Sequence, residues 1–141
     1  MAVRQAELVA SLVAGAPVPD GFDPDDLAVA RRALLRKRAG EVRHGWPLLA
    51  SSYGADWPET FAAWAAGRPP AGALRDGWDL ARQLAAAGTL PERAAAELAG
   101  REALARYDGR SAPRPRRLPA ARRVGRTVAV AAFGRVRLLS R

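Results

Sequence analysis

Any chemistry in this chain has to come from arginines and scattered carboxylates. Of 23 basic residues, only Lys37 is not Arg; His44 is the single His, and there is no Cys. Without thiols there is neither a disulfide framework nor a thiolate nucleophile, and one imidazole cannot build a histidine metal site. No Gly-rich phosphate loop, Gly-x-Ser-x-Gly turn or His-Glu-x-x-His pair occurs. General acid–base catalysis would therefore rest on carboxylates. The densest group, Asp23-Pro24-Asp25-Asp26, reads as a helix start: Asp23 caps, Pro24 fits the first turn, and the acids complement the helix dipole. These residue types point away from an independent enzyme and call for no cofactor or resident metal.

Three sets of side chains remain as binding candidates. At about 100° per residue, Leu27, Ala30, Leu34, Leu35 and Val42 define an apolar helical arc. Arg31 and Arg38 fall inside it, whereas Arg32, Arg36 and Arg43 lie on the far side. Either the two stems snorkel and pair with carboxylates of the chain, or they hold an acidic group of a partner. Arg114, Arg116 and Arg117 form a second set, within RSAPRPRRLPAARR at 110–123. Clustered guanidiniums of this kind attract carboxylates or phosphates. The third set is Val128, Val130, Arg135, Val136 and Arg137, where β-branched residues and alternating Arg suggest two short strands around Phe133-Gly134. A peptide could add to such an edge, with the flanking Arg attracting its acidic residues. A basic helix is the competing reading of this end.

The elements that must position these residues are mainly helical. Residues 2–14 read as a short amphipathic helix stopped by Gly15, and a second helix runs from Pro24 to about Arg43 and ends at Gly45. In GWPLLASSYGADWPETFAAWAAGRPP, Pro47 starts a short helix and Gly54 ends it. Asp56 and Glu59 then read as a capping box for a helix carrying Trp57, Phe61 and Trp64 on one face. Leu74 to Ala87 turns Leu74, Trp78, Ala81 and Leu84 inward and closes at Gly88. A second capping box, Thr89 to Glu92, opens a helix to about Tyr107.

Charge divides the chain. Residues 1–107 hold 13 basic and 13 acidic residues, whereas 108–141 hold 10 basic residues against Asp108 alone, net +9. The first part is expected to be a helical domain, 108–123 an extended, solvated Arg/Pro-rich linker, and 124–141 a basic segment forming a β-hairpin. No apolar run approaches the roughly 20 residues that span a bilayer. Leu8 to Ala16 reads as part of a first helix and not as a signal core, which makes the expected location cytoplasmic.

The run LLRKRAGEVRHGWPLLASSYGADWPETFAAWAAGRPP resembles the helical N-terminal domain of the small partner proteins of multinuclear non-haem iron oxidases, the methanobactin C and HvfC type. In that family a basic helix leads to an aromatic-Pro pair, a Gly-terminated turn, an aromatic helix and a Pro-rich exit. Here these are Arg31–Arg43, Trp46-Pro47, Tyr53-Gly54, Trp57–Trp64 and Pro69-Pro70. Leu35-Arg36-Lys37-Arg38 stands where the family often has Tyr-Arg-x-Asn, and the C-terminal part is shorter, as in the Arg-rich actinobacterial-type version. The resemblance implies a non-catalytic accessory subunit. Its partner would be a TIM-barrel iron oxidase that modifies Cys residues, and it would help to present a ribosomally made precursor peptide. Nucleic-acid binding through the basic tail is the alternative. The expected fold is a bundle of five or six helices followed by a C-terminal hairpin.

Overall fold

The computed structural model describes residues 2–14, 17, 21, 23–132 and 134–140. Six helices are present among them: α1 (Ala2–Ala14), α2 (Pro24–Gly45), α3 (Pro47–Ser51), α4 (Trp57–Ala65), α5 (Ala73–Ala86) and α6 (Glu92–Leu104). Five strands follow: β1 (Ala105–Arg106), β2 (Arg114–Pro115), β3 (Ala120–Val124), β4 (Thr127–Ala132) and β5 (Arg135–Ser140). The chain is mainly helical, with a two-stranded and a three-stranded antiparallel sheet. No helix of the described residues is long and apolar enough to cross a membrane. The stop expected at Gly15 and most of the following loop lie outside the described residues.

Proline and glycine punctuation sets the helix limits. The Asp23 carboxylate accepts from the Asp25 amide at 2.9 Å, and Pro24 occupies the first turn of α2. Pro47 opens α3 immediately after the Trp46 amide has donated to the Val42 carbonyl. The two expected capping boxes do not form. Asp56 ends a 3-10 turn (Gly54–Asp56) with helical φ and ψ, so its carboxylate makes no cap bond to α4. Thr89 belongs to the end of α5: Gly88 donates to Ala85 and Thr89 to Leu84, with Gly88 at φ +71°, which is a Schellman closure. Pro91 then takes the N-cap position of α6.

The aromatic residues form the main core. Trp46, Trp57, Phe61, Trp78, Leu49, Val42 and Leu98 are all buried. Trp46 meets Trp78 edge-on at 5.8 Å, and Trp57, Phe61 and Trp64 follow one another along α4 at 5.6 Å spacings. Each buried indole N–H has an acceptor: Leu74 O for Trp46, Ala39 O for Trp57 and Glu102 Oε1 for Trp78. Leu74 itself is 41% exposed, so the expected inward position belongs to its carbonyl and not to its side chain. Gly77 lets α5 cross over Trp46: a Cβ there would lie 2.2 Å from the indole Cδ1.

The C-terminal region departs most from expectation. Helix α6 stops at Leu104 instead of Tyr107, because the chain turns extended at Ala105 and draws Tyr107 against Trp78, with ring centroids 5.2 Å apart. The Tyr107 hydroxyl donates to Asp79 at 3.0 Å. The 110–123 stretch is not a solvated linker throughout. Arg114–Pro115 pairs with Ala105–Arg106, and Ala120–Val124 forms a third strand beside the expected pair. The three-stranded sheet, ordered β3-β4-β5, lies on α6 through a seam of small residues: Ala99 and Ala103 against Ala129 and Ala131. Small side chains let helix and sheet approach closely, and Val124 and Val136 pack at its margins. Gly134, at φ +73°, supplies the turn between β4 and β5; its neighbour Phe133 is outside the described residues.

Candidate functional site

The three candidate sets have different surroundings. Arg38, on α2, is 7% exposed and engaged inside the fold. It donates to Asp76 Oδ2 at 3.0 Å and to the Arg68 carbonyl at 3.0 Å, and its guanidinium lies 5.7 Å from the Phe61 ring centroid. The other Asp76 oxygen accepts from the Ala71 amide. Arg38 is thus a buried clamp between α2, α5 and the segment between α4 and α5. Arg31 donates through Nε to the Ser11 carbonyl at 2.8 Å, tying α2 to α1. Of the two readings of these arginines, Arg38 takes the one in which the carboxylate belongs to the chain.

The second set lies in a basic cleft. Arg106 and Arg114 are register partners on the β1–β2 ribbon, so their side chains leave the same side. Arg116 is fixed beside them: its amide donates to the Leu104 carbonyl, and its Nε donates to Glu102 O at 2.9 Å and Ala105 O at 3.3 Å. Arg122 reaches the cleft from β3, and Arg82 from α5. The resulting cleft has a volume of about 580 Å³ and is lined by these five arginines together with Glu102 and Asp108. A neighbouring cleft of about 670 Å³ shares Arg106, Arg114, Arg116 and Arg122 and adds Arg117, Leu118, Pro119 and Ala121.

Both carboxylates are already occupied. Glu102 accepts from Arg82 Nε at 2.7 Å and from the Trp78 indole at 2.8 Å. Arg82 also donates to the Tyr107 carbonyl and lies 5.0 Å from the Tyr107 ring centroid. Asp108 accepts from the Arg110 and Ser111 amides and the Ser111 hydroxyl, and these bonds hold its carboxyl well below the usual carboxylate range. Burial lowers the pKa of Arg116, and repulsion from Arg122 and Arg106 lowers it further. Among the described residues, the ion pairs are Arg38–Asp76, Arg82–Glu102 and Arg101–Glu97. None includes Arg106, Arg114, Arg116 or Arg122.

The third set is divided by the pleat. Val128 and Val130 belong to β4, the central strand, whose backbone is paired on both sides, so they offer a side-chain face and not an edge. Register places Val128 beside Leu139, Val130 beside Arg137, and Ala132 beside Arg135 on the face turned away from α6. Val136 points the other way, into the seam with Ala129 and Ala131. Among the described residues, the backbone edges without a paired strand are those of β3 and β5.

Arg82, Arg106 and Arg122 escaped the sequence reading, since they come from a helix, a two-residue strand and an Arg/Pro-rich stretch far apart in the chain. The alternation of Ala120, Arg122 and Val124 against Ala121 and Arg123 is the one local signal that marks β3.

The chain is 42% identical over 97 residues to a UPF0276 protein of Streptomyces avermitilis. That match covers 68% of this chain and 20% of the relative, so the chain spans about a fifth of the relative's length. No solved structure gives a significant match. The profile of the SCO6045-like C-terminal domain matches residues 2–86, from α1 to the end of α5, and the chain belongs to that family.

Proposed function

We propose that the chain is a non-catalytic partner module that binds a multinuclear non-haem iron oxidase and helps to hold a ribosomally made precursor peptide for modification. The observation that carries this reading is the free β5 edge, with Arg135, Arg137, Val128 and Val130 on the adjoining outward face. An extended peptide can add there as a further strand through backbone bonds, while its acidic side chains meet the two arginines. The relative supports a role beside a larger body, since four-fifths of its length lies outside the match. The iron and the oxidation would belong to the oxidase; this chain would bind and orient the peptide.

The experiment combines a purified multinuclear non-haem iron oxidase of the kind proposed, a Cys-bearing precursor peptide that it modifies, and the chain itself. Peptide modification is expected to depend on the chain. Modification at an equal rate without the chain would contradict the proposal.

One observation favours a second reading. The unpaired arginines of the cleft also suit phosphates, so nucleic-acid association through the C-terminal region is the alternative. It requires affinity for duplex DNA that falls log-linearly with salt. Sub-micromolar, sequence-selective DNA binding at about 150 mM salt would promote it over the partner reading.

A further inference from the structure

We infer that the cleft bounded by Arg106, Arg114, Arg116 and Arg122 is a recognition site for an acidic peptide segment, taking two neighbouring carboxylates followed by an apolar side chain. The inference rests on the peptide-holding reading above, and not on the identity of the oxidase. It adds a second contact region, distinct from the β5 edge, with its own selectivity.

Charge is the first argument. Five guanidiniums meet two carboxylates in the cleft, and internal donors already engage both of the latter. Among the described residues Arg106, Arg114, Arg116 and Arg122 form no ion pair; burial and then the charges of Arg122 and Arg106 lower the pKa of Arg116, and Glu102 offsets this only in part. An incoming carboxylate pair would supply the counter-charge, and guanidiniums bind such groups in bidentate geometry.

Rigidity is the second argument. Arg106 and Arg114 are held in register, and two carbonyls of the α6 terminus hold the Arg116 Nε. Backbone pairing thus fixes where Arg106 and Arg114 leave the ribbon, and the Arg116 side chain, already bonded, loses less freedom when an anion binds.

The third argument concerns which anion. Beyond Arg116 the surface adds Leu118, Pro119 and Ala121 beside Arg117, and Leu118 is 80% exposed. Tyr107 is the one aromatic among the residues lining the two clefts, and it is 7% exposed beneath Arg82. Bases thus find no open ring on which to stack, whereas a peptide with acidic and then aliphatic residues meets both parts of the surface.

The test uses the full chain and calorimetric titration. One probe is a short synthetic peptide with a Glu-Glu pair followed by Leu-Val; another carries Gln-Gln in place of Glu-Glu. A duplex oligonucleotide is the third. Arg114→Gln with Arg122→Gln alters the cleft, and Arg32→Gln with Lys37→Gln removes the same charge from exposed positions on α2. The Glu peptide is expected to bind saturably, with the cleft variant weakened about tenfold or more and the α2 variant within about twofold. Equal weakening by both variants would reduce the effect to bulk charge and overturn the inference. Equal binding of the Glu and Gln peptides, unaffected by the cleft variant, would overturn it while leaving a peptide-holding surface elsewhere. Saturable binding of neither peptide would overturn the cleft site and the peptide-holding reading together. An oligonucleotide bound more tightly than the Glu peptide, and lost in the cleft variant, would assign the cleft to nucleic acid instead.

Discussion

Arg38 and the cleft arginines are the same residue type in opposite circumstances. Arg38 sits under the aromatic core with a carboxylate, a carbonyl and a ring face as partners. Arg106, Arg114 and Arg122 project from strands where no carboxylate of the described residues pairs with them. In the helical body charge is balanced and cross-links elements; toward the C-terminus it accumulates, net +9 over 108–141. A guanidinium whose hydrogen bonds close on its own chain is architecture. One projecting beside like charges is free to meet a group from outside.

The largest expected effect falls on the architectural side. Arg38→Ala strands Asp76 in the interior and should cost about 3–5 kcal/mol in urea unfolding. Replacing both partners with apolar residues of similar size should cost less than either single change. Arg31 and Arg38 were candidates for docking a partner's acids; for Arg38, any loss of partner binding should now appear together with lost stability. Gly77→Ala comes next. Helix propensity would favour Ala by about 1 kcal/mol, but the added Cβ meets a fully buried indole. Net destabilisation of about 1–3 kcal/mol is expected by thermal unfolding, with Trp46 fluorescence altered.

Asp108 links the two regions. Its folded pKa is depressed, so its stabilising contribution is present above the ordinary value of 3.8 and is lost as pH falls through the folded one. Asp108→Asn should lower the melting temperature at neutral pH and narrow its gap to the wild type on acidification below about pH 4. A gap that widened in acid would contradict the turn's assigned role. The smallest effect belongs to the cleft: Arg114→Gln with Arg122→Gln should change stability by no more than about 0.5 kcal/mol, and at low salt should raise it.

Much of the helical body was legible because helices announce themselves locally. The Pro residues at 24 and 47, the glycines at 45 and 88, and the spacing of Trp57, Phe61 and Trp64 fixed α2 to α5 closely. Capping was less legible, since Asp56 and Thr89 have the right chemistry but enter from a 3-10 turn and a Schellman closure. The Arg38–Asp76 bond joins residues 38 positions apart, and nothing near either names the other. The arginine and proline content of 110–123 concealed β3, whose pairing depends on the hairpin that follows. For the same reason only Arg114, Arg116 and Arg117 of the cleft residues were visible beforehand. Arg82, Arg106 and Arg122 join them only once α6 and the sheet have packed together.

That packing also changes what truncation would do. The aromatic core lies before Asp108, so a chain truncated there keeps it. The structure shows that truncation would uncover Ala99 and Ala103 and remove Val124 from the edge of the main core. A helical, cooperatively folded product is expected, with a melting temperature lowered by about 10 °C.

The division between architectural and receptor arginines is tested most directly by measuring two quantities on the same two proteins. Unfolding free energy and affinity for the Glu-Glu-Leu-Val peptide would be determined for Arg38→Ala and for Arg114→Gln with Arg122→Gln. A crossed pattern is predicted: Arg38→Ala loses stability yet, where folded, keeps its affinity, and the cleft variant keeps its stability and loses affinity about tenfold. Stability and affinity moving together in both proteins would contradict the division.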